Sequence, residues 1–550
     1  MAHARDARNE SALPLHSAVK AVRALVATLV ALAGLWACGG APAQIVDYSP
    51  LRGAQNVPTV EPVKITFDHA VDRQSVASRL HLSPAVDGSI RWLSDRSLEY
   101  DHPTLRPATT YEVIIEAGYS DAAGNVYILR HHWSFITEPP PSFTGSSPAD
   151  GSTHINPADY LTVDFTRRMD ERTLRSAIAL NPQVPFNVRL DPTDDRRAIV
   201  APNSLLDPDT QYTLLISTAA LDVDGNELDR VHTVRFSTGA VSALRHWIAF
   251  ATLSATGGEG GLWIVNESGF PRELLETGFV QSFSWSPDGT RLVYQSESGT
   301  WSAYAPGEQP QPLDFSGSWA AALGTGDGYA YLDASGALHR EAADKTDTVI
   351  ATDAGGAAVS PDGRRIAYTQ AQVDGTTLIW GYDVSLRAHY VLADEKGEVT
   401  DLAWAPDGTR LAYLRLSETG PATLRVLGLT GSASLTTIAT GDLGRPTWLR
   451  DSDHLLVQAA VKISGTTVQK AFVLNVAAPP ASLGPAIALP ADPGIDVSDP
   501  VPSPDGHQIA FISGNQVWLM NADGTRPTPL TRYDTGTFPY SCLMPAWTRS

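Results

Sequence analysis

From Ile45 onward apolar residues seldom run together. They alternate with polar ones in short stretches such as VKITF (Val63 to Phe67), TYEVIIEAG (from Thr110), LTVDF (Leu161 to Phe165) and QYTLLISTA (from Gln211), each bounded by Pro, Gly, Asp or Asn. A period of two places successive side chains on opposite faces of a strand, so the pattern predicts half-buried strands joined by tight turns along most of the chain. One segment breaks the pattern: ALVATLVALAGLWA (Ala24 to Ala37) is apolar without alternation, follows Arg5, Arg8, Lys20 and Arg23, and runs into Cys38-Gly39-Gly40. A basic region, an apolar core of about 7 to 15 residues and small residues after it predict an export signal. A membrane-spanning helix would need about 20 apolar residues.

Residues 1–37 are therefore read as a signal peptide and 38–44 as a linker. Leu35-Trp36-Ala37-Cys38 resembles the lipobox of bacterial lipoproteins, which implies lipid attachment at Cys38 and a membrane anchor. Trp36 departs from the small residue usual there, and Ala41-Pro42-Ala43 offers ordinary signal-peptidase cleavage as the alternative. Loss of residues 1–37 removes four basic and two acidic groups and takes the net charge from −20 to −22.

The strand pattern is written twice between Ile45 and Gly239. Ser49-Pro50 returns as Ser147-Pro148, VKITF as LTVDF and Asp72 as Asp170 at an offset of 98; beyond a small insertion, Tyr111 returns as Tyr212 and Trp133-Ser134-Phe135 as Val234-Arg235-Phe236 at 101. Two units of about 100 residues with short alternating strands predict two β-sandwiches, at 45–139 and 140–239. The shared SP-x-x-G, the strand ending in Phe, the D-x-x-G-N turn and the closing Thr resemble the bacterial Ig-like domain of the S-layer SbsA type, which implies a spacer or adhesive module at a cell surface.

Residues 245–550 carry a different repeat: SWSPDGTRLVY (from Ser284), AVSPDGRRIAY (from Ala358), AWAPDGTRLAY (from Ala403), TWLRDSDHLLV (from Thr447), VPSPDGHQIAF (from Val501) and a degenerate ALGTGDGYAYL (from Ala322). Each is followed by further strands, as in QVWLMN (Gln516 to Asn521), so a unit holds four strands, the pattern of a β-propeller blade. In Pro-Asp-Gly the proline presets φ, the aspartate caps neighbouring amides and the glycine takes positive φ, so Asp288, Asp362, Asp407 and Asp505 are expected to be structural. Trp285, Trp404, Trp448 and Trp547 are expected to pack blade on blade. HWIAFAT (His246 to Thr252) has only the second half of the repeat and PAWTRS (Pro545 to Ser550) only the first, so the two are predicted to pair and close the ring. The expected fold is thus all-β: two Ig-like β-sandwiches and a seven-bladed propeller with a split first blade, six or eight blades staying open. The Pro/Ala-rich run Ala477 to Gly494 is expected as a surface loop. This half resembles the propeller repeat of TolB and of prolyl oligopeptidase-type peptidases.

Composition narrows the chemistry. Sixty acidic against 40 basic residues repel a phosphate backbone and exclude a nucleic-acid partner. With only Cys38 and Cys542, no CxxC and no HExxH, neither a disulfide framework nor a metal or other cofactor is expected. The G-x-S-x-G elbow of an α/β-hydrolase is missing, so the peptidase route fails, although a funnel-type glycan lyase or hydrolase stays open as the alternative. Asp222-Val223-Asp224-Gly225-Asn226 looks like part of a calcium loop, but Asp121-Ala122-Ala123-Gly124-Asn125 repeats its Asp, Gly and Asn without the middle acid, as a hairpin turn requires. Three residues before the repeated aromatic position the blades offer Ser282, Gly356, Asp401, Arg445, Asp499 and Met544. Asp401, Arg445 and Asp499 are the candidate ligand-binding residues of the funnel, or else a self-paired charge group. Cys542 is expected to be a buried small hydrophobe. The reading is an exported, lipid-anchored envelope protein whose stalk presents a propeller to an envelope protein, peptide or glycan without catalysing a reaction.

Overall fold

The computed structural model describes residues 41–548 apart from 242–243, 245, 255–259, 268, 325–327, 418–419, 431–433, 485–486 and 534–535. The chain forms two compact units: one comprises residues up to Ser142 together with Leu221–Asp229, the other Phe143–Ala220 with Arg230–Ser550. The first unit thus ends at Ser142 and takes in one hairpin of the second repeat, while the rest of that repeat falls in the same unit as the C-terminal half.

In the first unit, strands Ile45–Ser49, Val63–Phe67, Ser97–Asp101 and Ser89–Trp92 make one sheet, and Leu80–Ser83, Thr110–Ile115 and His131–Ile136 the other. The alternation sorts the faces as predicted: Val63, Ile65 and Phe67 meet Val113, Ile115, Trp133 and Phe135 in one core. Each such side chain contributes about 1.5–3 kcal/mol when fully buried. The second repeat builds a matching pair of sheets, with Leu161–Phe165 central in one and Gln211–Ile216 in the other, where Ser152–Ile155 adds a fourth strand parallel to His232–Thr238. Residues that recur at fixed offset have matching jobs. Tyr111 and Tyr212, both buried, each accept a hydrogen bond from the backbone five residues upstream, from Arg106 N (3.1 Å) and Asp207 N (3.0 Å), a tyrosine corner in each repeat. Asp72 and Asp170 cap two short helices, Arg73–Ala77 and Glu171–Ala177, by accepting from Ser75 N (2.7 Å) and Arg172 N (3.0 Å). Those helices were not predicted, because five and seven residues are too few to show a 3.6-residue period.

Beyond Gly239 the described residues form seven successive antiparallel sheets of three or four strands, and a two-stranded one, Arg532–Tyr533 with Gly536–Thr537, precedes the last strand. Five are four-stranded hairpin stacks in chain order, including the degenerate third repeat with its strands Trp319–Ala322, Tyr329–Leu332, Leu338–Glu341 and Asp347–Ala351. A sixth has three strands, Thr447–Trp448, His454–Ile463 and Thr466–Asn475. The fourth position in that blade falls to the Pro/Ala-rich insertion, which is clamped rather than loose: Ala471 and Leu489 exchange backbone bonds (3.1 and 2.9 Å). Lys470, fully buried, donates from Nζ to Asp492 O (2.5 Å) and Ile495 O (2.6 Å). The remaining sheet runs Arg272–Glu276, Gly260–Val265, Ile248–Ser254 and Tyr540–Trp547. Here Ile248 pairs with Trp547, Ala249 with Ala546 and Thr252 with Cys542, so the last strand closes the first blade across about 300 residues of chain, as the half-repeats predict. Cores bridge neighbouring blades throughout, as where Ala367 and Ile379 meet Trp404, Leu411 and Tyr413.

Candidate functional site

The recurring turns and tryptophans prove structural. Asp288 accepts from Ser286 Oγ (2.6 Å) and Thr290 N (3.1 Å), Asp362 from Ser360 Oγ and Arg364 N, Asp407 from Thr409 N, and Asp505 from Ser503 Oγ and His507 N. Gly289, Gly363, Gly408 and Gly506 sit at φ between 68° and 79°, the left-handed region that this turn demands. The indole N–H of Trp404 reaches back to Ala358 O (3.1 Å), that of Trp448 to Ala403 O (2.9 Å) and that of Trp547 to Val501 O (3.1 Å), so the tryptophans staple each blade to the one before. The Trp285 indole N–H, at the seam beside the closing blade, is buried and has no partner among the described residues.

Five of the six positions singled out by the repeat register share a backbone feature, and Arg445 does not. The first strand of five blades shifts register at this level: between Val280 and Ser282, Ala354 and Gly356, Thr400 and Ala403, Ser498 and Val501, and opposite Ala249 and Ala251 in the closing blade. Asp401 (φ 55°), Asp499 (φ 48°) and Met544 (φ 51°) occupy these bulges in left-handed conformation. Such bulges re-aim a side chain out of the strand plane, and aspartate tolerates the conformation better than most residues. Asp401 and Asp499 are exposed, as is Arg445, which lies between Gly444 and Pro446 at the entry to the sixth blade. Asp401 accepts from Thr400 Oγ1 (3.0 Å), and the Asp499 amide donates to Gln458 Oε1 (3.0 Å). Among the described residues no ion pair joins Arg445 to Asp401 or Asp499, so the self-paired alternative does not form.

A second polar feature was not anticipated. A cleft of about 380 Å³ at the closing blade is lined by His246, Glu267, Asp505, His507, Gln508 and Trp547, among others. Its origin lies in a departure from the repeat. The arginine after Pro-Asp-Gly crosses to the next blade in two copies: Arg365 to Gly408 O (2.9 Å), stacked over Trp404, and Arg410 to Ser452 O (2.7 Å) and Asp453. In VPSPDGHQIAF that arginine is Gln508, a signal visible in the sequence.

In the first unit, Glu138, Asp222 and Asp224 each place a carboxylate oxygen within 4.8 Å of the others, a donor set suited to a hard cation such as calcium. Asn226 Nδ2 already donates to both Glu138 Oε1 (3.0 Å) and Asp222 Oδ2 (3.0 Å), and Asn125 holds Asp121 the same way in the first repeat. The turn reading thus accounts for Asp222 and Asn226. Cys542 is fully buried and its thiol is pushed up to about 12 by that burial. Cys38 lies outside the described residues.

Comparison with known proteins agrees with the N-terminal half. Residues 40–137 and 138–238 each match the bacterial Ig-like domain family. Both repeats are bacterial Ig-like domains. A 109-residue stretch of the chain is 32% identical to the uncharacterized peptidase YuxL of Bacillus subtilis (strain 168); it makes up 18% of this chain and 16% of that protein, so the chain spans only about a sixth of that relative's length. Among solved structures, TolB from Acinetobacter baumannii is 16% identical with a TM-score of 0.35, covering 68% of this chain and 83% of its own. An oligogalacturonate lyase in complex with manganese is 12% identical with a TM-score of 0.38, covering 53% and 87%. Likenesses this distant carry no argument about ligand or activity.

Proposed function

We propose that this is an exported, lipid-anchored cell-envelope protein whose propeller binds an envelope protein, peptide or glycan through the Asp401, Arg445 and Asp499 positions without turning it over. The observation that carries the binding surface is the bulge geometry: Asp401 and Asp499, both charged and exposed, stand on a left-handed backbone that costs free energy and is not repaid by an ion pair among the described residues, and Arg445 is exposed at the same register position of the blade between them. The tandem Ig-like domains and the signal-like N-terminus support the address. The surface is tested by capture from envelope extract with the full mature chain and with Asp401→Asn/Asp499→Asn. The reading expects one species retained by the first and reduced at least tenfold by the second. Equal retention dismisses the surface, and release of shortened products from an offered polysaccharide replaces binding with catalysis. The anchor is tested separately: a palmitate analogue labels the wild type and not Cys38→Ala, and label kept in the variant refutes it.

A further inference from the structure

The two Ig-like repeats present the same hairpin to different neighbours. In the second repeat, Leu221–Asp229 belongs to the first unit, where Asn226 donates to Glu138 Oε1 (3.0 Å) and accepts from Thr59 Oγ1 (2.9 Å), and the Asp229 amide donates to Pro141 O (3.0 Å). That end of the repeat therefore meets what precedes it in the chain. At the offset of 101, the first repeat's hairpin keeps its framework, with Asp121 and Asn125 for Asp222 and Asn226 and Tyr127 for the buried Leu228. Its outward positions change chemistry. Glu227, Asp229 and Arg230 correspond to Val126, Ile128 and Leu129.

Those three apolar side chains are 50%, 78% and 64% exposed, a cluster on one loop rather than the scattered apolar residues any surface has. The hairpin behind them is held firmly: Tyr127 stacks on Tyr119 (5.2 Å) and on His131 (4.3 Å). Tyr119 in turn donates from its hydroxyl to Ala43 O (2.7 Å), and Ala43 is fully buried. The start of the described chain is thus pinned beside the apolar tip. Cys38 is five residues before Ala43, a reach of at most about 18 Å. Arg130, the adjacent cation, is matched by Glu112 and Glu116 (3.7 Å each), so the tip offers apolar surface without net basic charge.

We propose that Val126, Ile128 and Leu129 form a bilayer-seating surface, dipping into the headgroup boundary of the membrane that holds the lipid on Cys38; this rests on the anchor reading above. Three side chains are too few to hold a protein on lipid alone, but beside a tether that already holds the chain at the bilayer they need only add apolar burial that seats this face on it. Since the attraction is apolar, a neutral bilayer suffices.

The test replaces the biological anchor, so that its failure is distinct from failure at Cys38. The mature chain with Cys38→Ala carries a hexahistidine tag before residue 38 and is held on neutral phosphatidylcholine vesicles by a trace of nickel-chelating lipid. An environment-sensitive nitrobenzoxadiazole dye is placed on Leu129→Cys, or as control on Val373→Cys at a fully exposed propeller loop, Cys542 being buried. Expected are a blue shift and at least a twofold intensity gain at position 129, quenched by nitroxide-labelled lipid and lost with Val126→Asp/Ile128→Asp, with no change at position 373. A water-like spectrum at position 129 on vesicles overturns the proposal. So does the same gain without vesicles as protein concentration rises, which would assign the patch to a second copy.

Discussion

Asp288, Asp362, Asp407 and Asp505 do their work as turn residues, and for Asp288 that work depends on pH. Burial alone would raise the Asp288 carboxyl, but the Ser286 hydroxyl and the Thr290 amide and hydroxyl outweigh it and bring the group down to about 2, below the ordinary 3.8. A carboxylate whose folded pKa is depressed contributes stability that is complete above the unfolded value and is shed as pH falls through the folded one. Asp288→Asn should therefore lower the Tm at pH 7 and flatten the fall in Tm between about pH 4 and pH 2; an unaltered pH profile would contradict the role. Much at this scale was legible. Pro-Asp-Gly announces a turn because few residues tolerate its φ values, and the tryptophans announce packing because Trp285, Trp404, Trp448 and Trp547 recur at one position of the repeat. Asp72, Asp170, Tyr111 and Tyr212 were visible only as repeated letters, since a cap or a tyrosine corner needs the partner's backbone to be known.

A buried cation, Arg272, sits at the joint between the second Ig-like domain and the first blade, beside bonds from Glu273 N to Asn203 O (2.8 Å) and from the Tyr160 hydroxyl to Phe270 O (2.7 Å). Arg272 is fully buried and donates from Nε to Pro202 O (2.9 Å), from Nη2 to Ser204 O (2.9 Å) and from Nη1 to Ala158 O, with its guanidinium 5.4 Å from the centre of the Tyr160 ring. Burial draws its pKa down to about 10, which still leaves it charged at neutral pH. Arg272→Met would strand several carbonyls and should cost about 3 kcal/mol, read as a lower Tm, and Arg272→Lys should recover little because one ammonium cannot span the carbonyls that the planar fork reaches. A Tm within a degree of wild type in Arg272→Met would show that the joint is held otherwise. Nothing in the strand pattern foretold this arginine, nor the transfer of Leu221–Asp229 to the first unit, because both depend on residues 68 or more positions apart. That Asp401, Arg445 and Asp499 share one register position was legible because the repeat itself sets the register, but the bulges there were not. The cleft at Gln508 went unread, although the lost arginine was in plain sight, because its walls come from both ends of the propeller half.

At the scale of the whole molecule, ring closure is the feature on which the proposed binding surface depends. Asp499 and Met544 stand on the first strands of the last complete blade and of the split one, so the mouth keeps its geometry only while Tyr540–Trp547 pairs with Ile248–Ser254. The seam has a weak side: Trp547 staples the split blade to the preceding one, whereas Trp285 makes no matching bond to it. Two half-repeats at opposite ends of a repeat array made the closure readable from sequence alone, since an unpaired edge strand is costly to leave exposed. The most direct measurement is the melting temperature of the chain lacking Pro545 to Ser550, which removes the Ala249–Ala546 and Ile248–Trp547 pairs together with the Trp547 staple. The closed ring predicts a sharp fall in Tm and loss of partner capture in the same variant, whereas a melt and a capture equal to wild type would contradict the closure and the mouth built on it.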